Sequence, residues 1–172
     1  MIVILDNIRS VHNVGSIFRT ADALGVEKIY CCGVTPTPLN RFGKLEQQFA
    51  KTALGAERTM PWEHKKSVYQ LTGTLKKEGY KIFAIEQSPK SIPYFKIHPK
   101  KNELKSIALV LGHEVKGISQ SVLRASDRIL EIPMGGAIVR QAHHPRCNRQ
   151  GKESLNVAVS FGIVAFHLRY SR

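Results

Sequence analysis

Three short polar clusters in this sequence carry side chains able to steer charge at a reacting centre. Asn13 and Arg19 stand in "HNVGSIFRTADALG", Gly112 and Glu114 in "LGHEVKG", and Ser154 and Asn156 in "SLNVAVS". A guanidinium stays protonated in almost every protein setting, so Arg19 is suited to steadying a developing oxyanion or holding a phosphate and is a poor base. A carboxamide donates and accepts at once and so orients its neighbours, while a carboxylate such as Glu114 gathers donors or basic groups. Glycines at 112 and 117 permit a tight turn or a close approach of backbone to a ligand. Each cluster also has a plainer reading. Asn13 and Ser154 can be helix caps, Arg19 can pair with Asp22 one turn on, and the glycines can serve only their turn.

The elements that must position these groups are legible as apolar runs. "IVIL", "VEKIYCCGV", "YKIFAIEQ", "SIALVLG" and "DRILEIP" read as strands, and the fourth is apolar enough to be covered on both faces, as parallel strands are. Between the first two, Val14, Ile17, Phe18, Ala21 and Leu24 recur at three and four residues, giving a helix with Asn13 as N-cap, Gly25 as its stop and Arg19 off the apolar face. "TPTPLNRFGK" is a polar connection, a Lys-rich helix is expected around Lys65 to Lys77, and "SLNVAVSFGIVAFHLRY" closes the chain as a helix apolar on more than one side, which requires burial all round. Alternating strands and helices predict an α/β domain with a mostly parallel sheet and helices on both faces. In such a sheet ligands sit beyond the carboxyl ends of the strands, where all three polar clusters fall.

Composition sets the outer bounds. The chain has 172 residues, 42% of them hydrophobic, enough for one sizeable core. Lys and Arg number 26 against 13 Asp and Glu, a formal charge of +13 that favours a polyanionic partner such as nucleic acid. Lys65, Lys66, Lys76, Lys77, Lys100 and Lys101 contribute, although such runs are commonly solvated surface. Cys31, Cys32 and Cys147 show no CxxC spacing and read as reduced thiols. No basic leader and no apolar run long enough for a bilayer are present, so a soluble cytoplasmic protein without a membrane partner is expected. Neither GxGxxG nor GxxxxGK[ST] occurs, which removes the two commonest nucleotide-binding loops.

In their order and spacing, "NVGSIFRTADALG", "LVLGHEVKGIS" through "ILEIPM", and "SLNVAVSFGI" resemble the three motifs of the TrmH-type (SpoU) RNA 2′-O-methyltransferases of the SPOUT class, and the likeness covers nearly the whole chain. It implies a single SPOUT domain over 1–172 with a C-terminal trefoil knot, a homodimer, and S-adenosyl-L-methionine as methyl donor with no metal. Carried over by position, it implies catalytic roles for Arg19, Asn13, Glu114, Ser154 and Asn156 and a cofactor pocket of Gly112, Ile132, Met134 and Leu155. The substrate would be the ribose 2′-hydroxyl of a tRNA or rRNA nucleotide, with Arg19 acting on that hydroxyl.

One segment interrupts the resemblance. Deleting residues 135–150 leaves "EIPMGKESLNVAVS", which reads as an unbroken motif, so these residues look inserted. His143, His144 and Cys147 lack the fourth ligand and the spacing of a zinc site. Arg140, Arg146 and Arg149 can meet phosphates as an RNA-contacting arm, and a tolerated loop without function is the third reading, since closure entropy grows slowly with loop length. An insertion folded inward would fill the cofactor pocket. The alternative function is then a catalytically inactive, knotted RNA-binding dimer.

Overall fold

A computed structural model of the chain describes residues 1–134 and 154–171. The chain runs β1 (Ile2–Asp6), α1 (Val11–Ala23), β2 (Lys28–Cys32), α2 (Gln47–Ala53), α3 (Ala56–Thr59), β3 (Trp62–Lys65), α4 (Val68–Lys77), β4 (Lys81–Ile85), β5 (Ile92–Pro93), β6 (Ile107–Leu111), α5 (Gln120–Ala125), β7 (Arg128–Glu131) and α6 (Val157–Tyr170). The strands form one sheet in the order β3-β2-β1-β6-β4-β7-β5, and every pairing among the described strands is parallel. The inserted segment proposed at 135–150 lies outside the described residues, as do His143, His144, Cys147 and the three arginines beside them.

Alternation of side chains along the strands divides the core in two. Val3, Leu5, Leu109 and Leu111 face α1, α2 and α6 through Phe18, Phe49, Phe161 and Leu168. Ile2, Ile4, Ala108 and Val110 face α4 and α5 through Leu71, Leu75 and Val122. Helices therefore cover both faces, which is why β1 and β6 are buried over their full length. Cys31 and Cys32 sit in this interior, where burial pushes both thiols up to about 12 and keeps them protonated and inert.

Several boundaries differ from expectation for local reasons. Helix α1 starts at Val11 rather than after Asn13, because Ser10 is the cap and its side-chain oxygen accepts from the Asn13 N–H at 3.3 Å. Gly25 does end the helix, with φ +63°. Lys65 belongs to β3, not to the Lys-rich helix, which begins at Val68 behind the cap Ser67. "WEHK" shows no apolar alternation, and its strand exists through pairing with Ile29–Cys32 of β2 at the sheet edge. The opposite edge is the two-residue β5, where a proline is tolerated. Helix α6 is not buried all round: Phe161, Val164, Ala165 and Leu168 are inside, whereas Val159, Phe166 and Tyr170 are exposed.

The sheet order sets the place of the site. From β1 the chain adds β2 and β3 on one side, while β6, β4, β7 and β5 build the other, so the chain reverses its direction of growth between β1 and β6. The crevice beyond the carboxyl ends of those two strands is where an open parallel sheet leaves room for ligands.

Candidate functional site

The three polar clusters meet at that crevice. Asn156 caps α6, its Oδ1 accepting from the Ala158 and Val159 N–H groups at 2.9 and 3.4 Å, while its Nδ2 donates to Asn13 Oδ1 at 3.0 Å. Asn13 Nδ2 in turn donates to Glu114 Oε1 at 3.0 Å. The same carboxylate accepts from the backbone N–H groups of Ser10 at 3.0 Å and Arg9 at 3.1 Å. One chain of hydrogen bonds thus ties the start of α6, the start of α1 and the loop after β6. Asn13 is part of this chain instead of a cap, and Ser154 leaves the capping of α6 to Asn156. Ser10 carries the cap that sequence reasoning placed on Asn13; the "S-x-x" spacing before the apolar face was the available signal.

Glu114 is where the electrostatics of this network concentrate. Burial pushes its carboxyl up, but its own backbone N–H, those of Arg9 and Ser10, and the Asn13 amide outweigh burial and hold it below the usual carboxylate range. Its folded value lies below its unfolded one, so the stabilisation is fully present above the unfolded range and is lost as pH falls through the folded value. We expect Glu114→Gln to lower the melting temperature at neutral pH by about 2–4 °C, reflecting roughly 1 kcal/mol for a largely exposed charged acceptor. Wild type and variant should converge in acid. A difference that persisted undiminished below the carboxylate range would rule out this anchor.

Beside the network lies a cavity of about 180 Å³ lined by Ile85, Leu111, Leu130, Ile132, Met134 and Leu155, with Ser154, Gly112 and three carboxylates, Glu86, Glu114 and Glu131, also in its wall. Among the described residues no lysine or arginine lines it. The turn that closes it runs from His113 to Gly117, whose N–H donates to the His113 carbonyl at 2.8 Å, with Gly117 at φ +65°. A Cβ on Gly112 would stand 2.6 Å from the backbone of Gly117 and Ile118. Glu86 holds the far side of the turn by accepting from the Ile118 N–H at 2.9 Å. An apolar slot floored by bare backbone and fringed with carboxylates suits a flat ligand that carries positive charge. Among the described residues no cluster fit to hold a metal is present, and no helix is long and apolar enough to cross a membrane.

Six of the nine residues singled out by motif therefore line one cavity, namely Gly112, Glu114, Ile132, Met134, Ser154 and Leu155. Asn13 and Asn156 reach it through Glu114. Arg19 does not line it. Six residues beyond Asn13, it lies about 9 Å further along the axis of α1, exposed, with no ion-pair partner among the described residues. Asp22 instead accepts from the Thr59 hydroxyl at 3.0 Å. Next to Arg19, Thr20 packs on α6, its Cγ2 lying 3.9 Å from where a Gly162 Cβ would be. Arg19 thus flanks the helix that leaves Val159, Phe166 and Tyr170 uncovered.

Comparison with known proteins follows the same outline. Residues 1–139 match the SpoU rRNA Methylase family. The 23S rRNA (guanosine-2'-O-)-methyltransferase RlmB of Neisseria meningitidis is 30% identical over all 172 residues, which span 59% of that protein. The tRNA (guanosine(18)-2'-O)-methyltransferase of Aquifex aeolicus is 26% identical over 100% of this chain and 70% of its own length. Among solved structures, the A. aeolicus TrmH/SpoU tRNA modifying enzyme superposes with a TM-score of 0.76 at 25% identity, covering 99% of this chain and 74% of that one. The AdoMet-bound rRNA methyltransferase of Sinorhizobium meliloti gives 0.75 at 25% identity, over 98% of this chain and 55% of that one. The chain thus spans about three fifths of the length of the Neisseria relative.

Proposed function

This chain belongs to the SpoU rRNA methylase family, and from that premise we propose that it transfers a methyl group from S-adenosylmethionine to a ribose 2′-hydroxyl of tRNA or rRNA in the cytoplasm. The observation that carries this reading is the convergence of all three motifs on one carboxylate-fringed cavity through the Asn156–Asn13–Glu114 chain. The reading treats residues 1–172 as one domain with an inserted loop at 135–150, knotted at its C-terminal end as the likeness in fold supports.

The residues present fit the cofactor. Gly112 and the His113–Gly117 turn offer a wall of backbone packed so closely that a Cβ at 112 would lie 2.6 Å from Gly117 and Ile118, and Ile132, Met134 and Leu155 offer apolar walls. When bound there, S-adenosylmethionine supplies an electrophilic methyl group on a cationic sulfur. Glu86, Glu114 and Glu131 complement that charge. Methyl transfer removes a proton from the attacking hydroxyl, and a fixed guanidinium lowers the cost of the oxyanion that develops. Arg19 fills this role without giving up its own proton, which leaves the hydroxyl's proton to pass to water. Asn13 and Asn156 keep α1 and α6 in register so that the ribose meets the cavity mouth, and Ser154 stands beside that mouth.

Arg19 lies outside the cavity wall of its own chain, and the exposed apolar stripe of α6 lies beside it. A homodimer packed through that stripe would cover Val159, Phe166 and Tyr170 and carry each Arg19 toward the partner's cavity. Titration calorimetry with S-adenosylmethionine, followed by transfer of its tritiated methyl group to total tRNA and rRNA, tests the proposal. Binding and a 2′-O-methylnucleoside in the digest are expected. A protein that binds RNA but neither the donor nor any label is the inactive dimer instead.

A further inference from the structure

A second cleft, of about 710 Å³, adjoins the first and shares His113 and Gly117 with it. Its character is opposite. Arg9, Lys66 and Lys116 line it together with Tyr69, Asn7, Ser67, Ser119 and Ser121, and among the described residues its single acid is Asp6. Asp6 is buried at the end of β1 and accepts from Asn7 Nδ2 at 2.7 Å. None of the three cations has an ion-pair partner among the described residues. Nearby lysines contrast with them, since Lys65 and Lys28 both pair with Glu63, and Lys76 pairs with Asp127. The charge in the cleft is therefore not spent inside the protein.

Tyr69 adds a second kind of recognition. Its side chain, in the first turn of α4, is 58% exposed and has no aromatic neighbour among the described residues. An uncovered aromatic ring among unpaired cations suits a ligand that has both a phosphate and a flat base. The cleft also sits at the switch between β1 and β6, on the α4 and α5 side of the sheet. A strand of nucleic acid lying in it would pass within one turn of the carboxylate-fringed cavity.

We propose that the cleft of Arg9, Lys66, Tyr69 and Lys116 binds a nucleotide of single-stranded RNA flanking the one being modified, with Lys66 and Lys116 on its phosphates and Tyr69 stacked on its base. This inference rests on the RNA-methylating reading above. The two cavities then divide the work by charge: carboxylates face a cationic donor and cations face the phosphodiester, with the His113–Gly117 turn as the wall between them. Single-stranded RNA is favoured over duplex because a base must be free of its stack to meet Tyr69.

Binding of a fluorescein-labelled oligouridylate, measured by anisotropy across a salt series, tests this on the full chain. Each phosphate contact contributes about 0.7 to the slope of log K against log salt for single strands, so Lys66→Ala/Lys116→Ala should flatten that slope by about 1.4 and weaken binding about tenfold. Tyr69→Ala should weaken binding by about fivefold to a hundredfold, and Tyr69→Phe should restore it. Lys100→Ala/Lys101→Ala, two exposed lysines at the other end of the sheet, should leave the slope nearer that of the wild type. Unchanged melting temperature and unchanged affinity for S-adenosylmethionine show that the variants are folded. The proposal is overturned if the Lys66/Lys116 pair leaves slope and affinity unaltered, or if the Lys100/Lys101 pair matches its effect. A Tyr69→Ala protein that binds as tightly as wild type overturns the stacking contact. Because the readout is RNA affinity and not turnover, a chain that transferred no methyl group would sink the activity proposed above and not this cleft.

Discussion

Arg19→Ala is expected to slow methyl transfer by roughly 10²–10³-fold, the cost of removing one fixed donor from a developing oxyanion, or about 2.7–4 kcal/mol. Affinity for S-adenosylmethionine should change little, because the role given to Arg19 is on the attacking hydroxyl and not on the donor, whose cavity it does not line in its own chain. Arg19→Lys should restore little, since a point charge lacks the planar fork that holds a hydroxyl and its adjacent phosphate together. Arg19 is exposed and has no ion pair among the described residues, so its removal should cost the fold little. Single-turnover rates with the donor saturating provide the measurement. A variant within tenfold of wild type would remove Arg19 from the mechanism.

Gly112→Ala should abolish donor binding. All three of the atoms nearest to a Cβ at this position lie 2.6 Å away, and two of them are backbone, so the His113–Gly117 turn must move outward. That turn is held by Glu86 on one side and, through Glu114, by the start of α1 on the other, so it cannot shift without breaking bonds. Overpacking of this kind costs about 1–3 kcal/mol, leaving the fold in place while the cradle is lost. Gly73→Ala is the matched control, because nothing lies within 4 Å of its Cβ and a mid-helix alanine should add about 0.5–1 kcal/mol of stability. Calorimetry showing undiminished binding in a folded Gly112→Ala protein would place the donor elsewhere.

The two variants together test the dimer. If Arg19 of one protomer serves the cavity of the other, coexpression of Arg19→Ala and Gly112→Ala chains should regain about a quarter of wild-type sites, since half of randomly paired dimers carry one intact composite site. If each chain supplies its own arginine, no site is intact and activity stays at background.

Apolar content by itself determined much of this protein. "IVIL" and "SIALVLG" read as interior strands, because a parallel sheet covered on both faces accommodates short runs apolar at nearly every position. The repeat from Val14 to Leu24 required a helix, and the likeness of three ordered polar motifs to those of the SpoU methylases implied the chemistry. What local pattern could not hold was anything decided by a distant partner. β3 forms from "WEHK" because β2 offers it a ladder, Glu63 pairs with Lys65 while Lys66 has no ion pair among the described residues, and Asn13 leaves the role of cap because Asn156, 143 residues away, and Glu114 claim its amide. Burial of an apolar face is a property of a segment and can be read along it. The pairing of a polar group depends on which other group arrives beside it, and only the folded chain decides that.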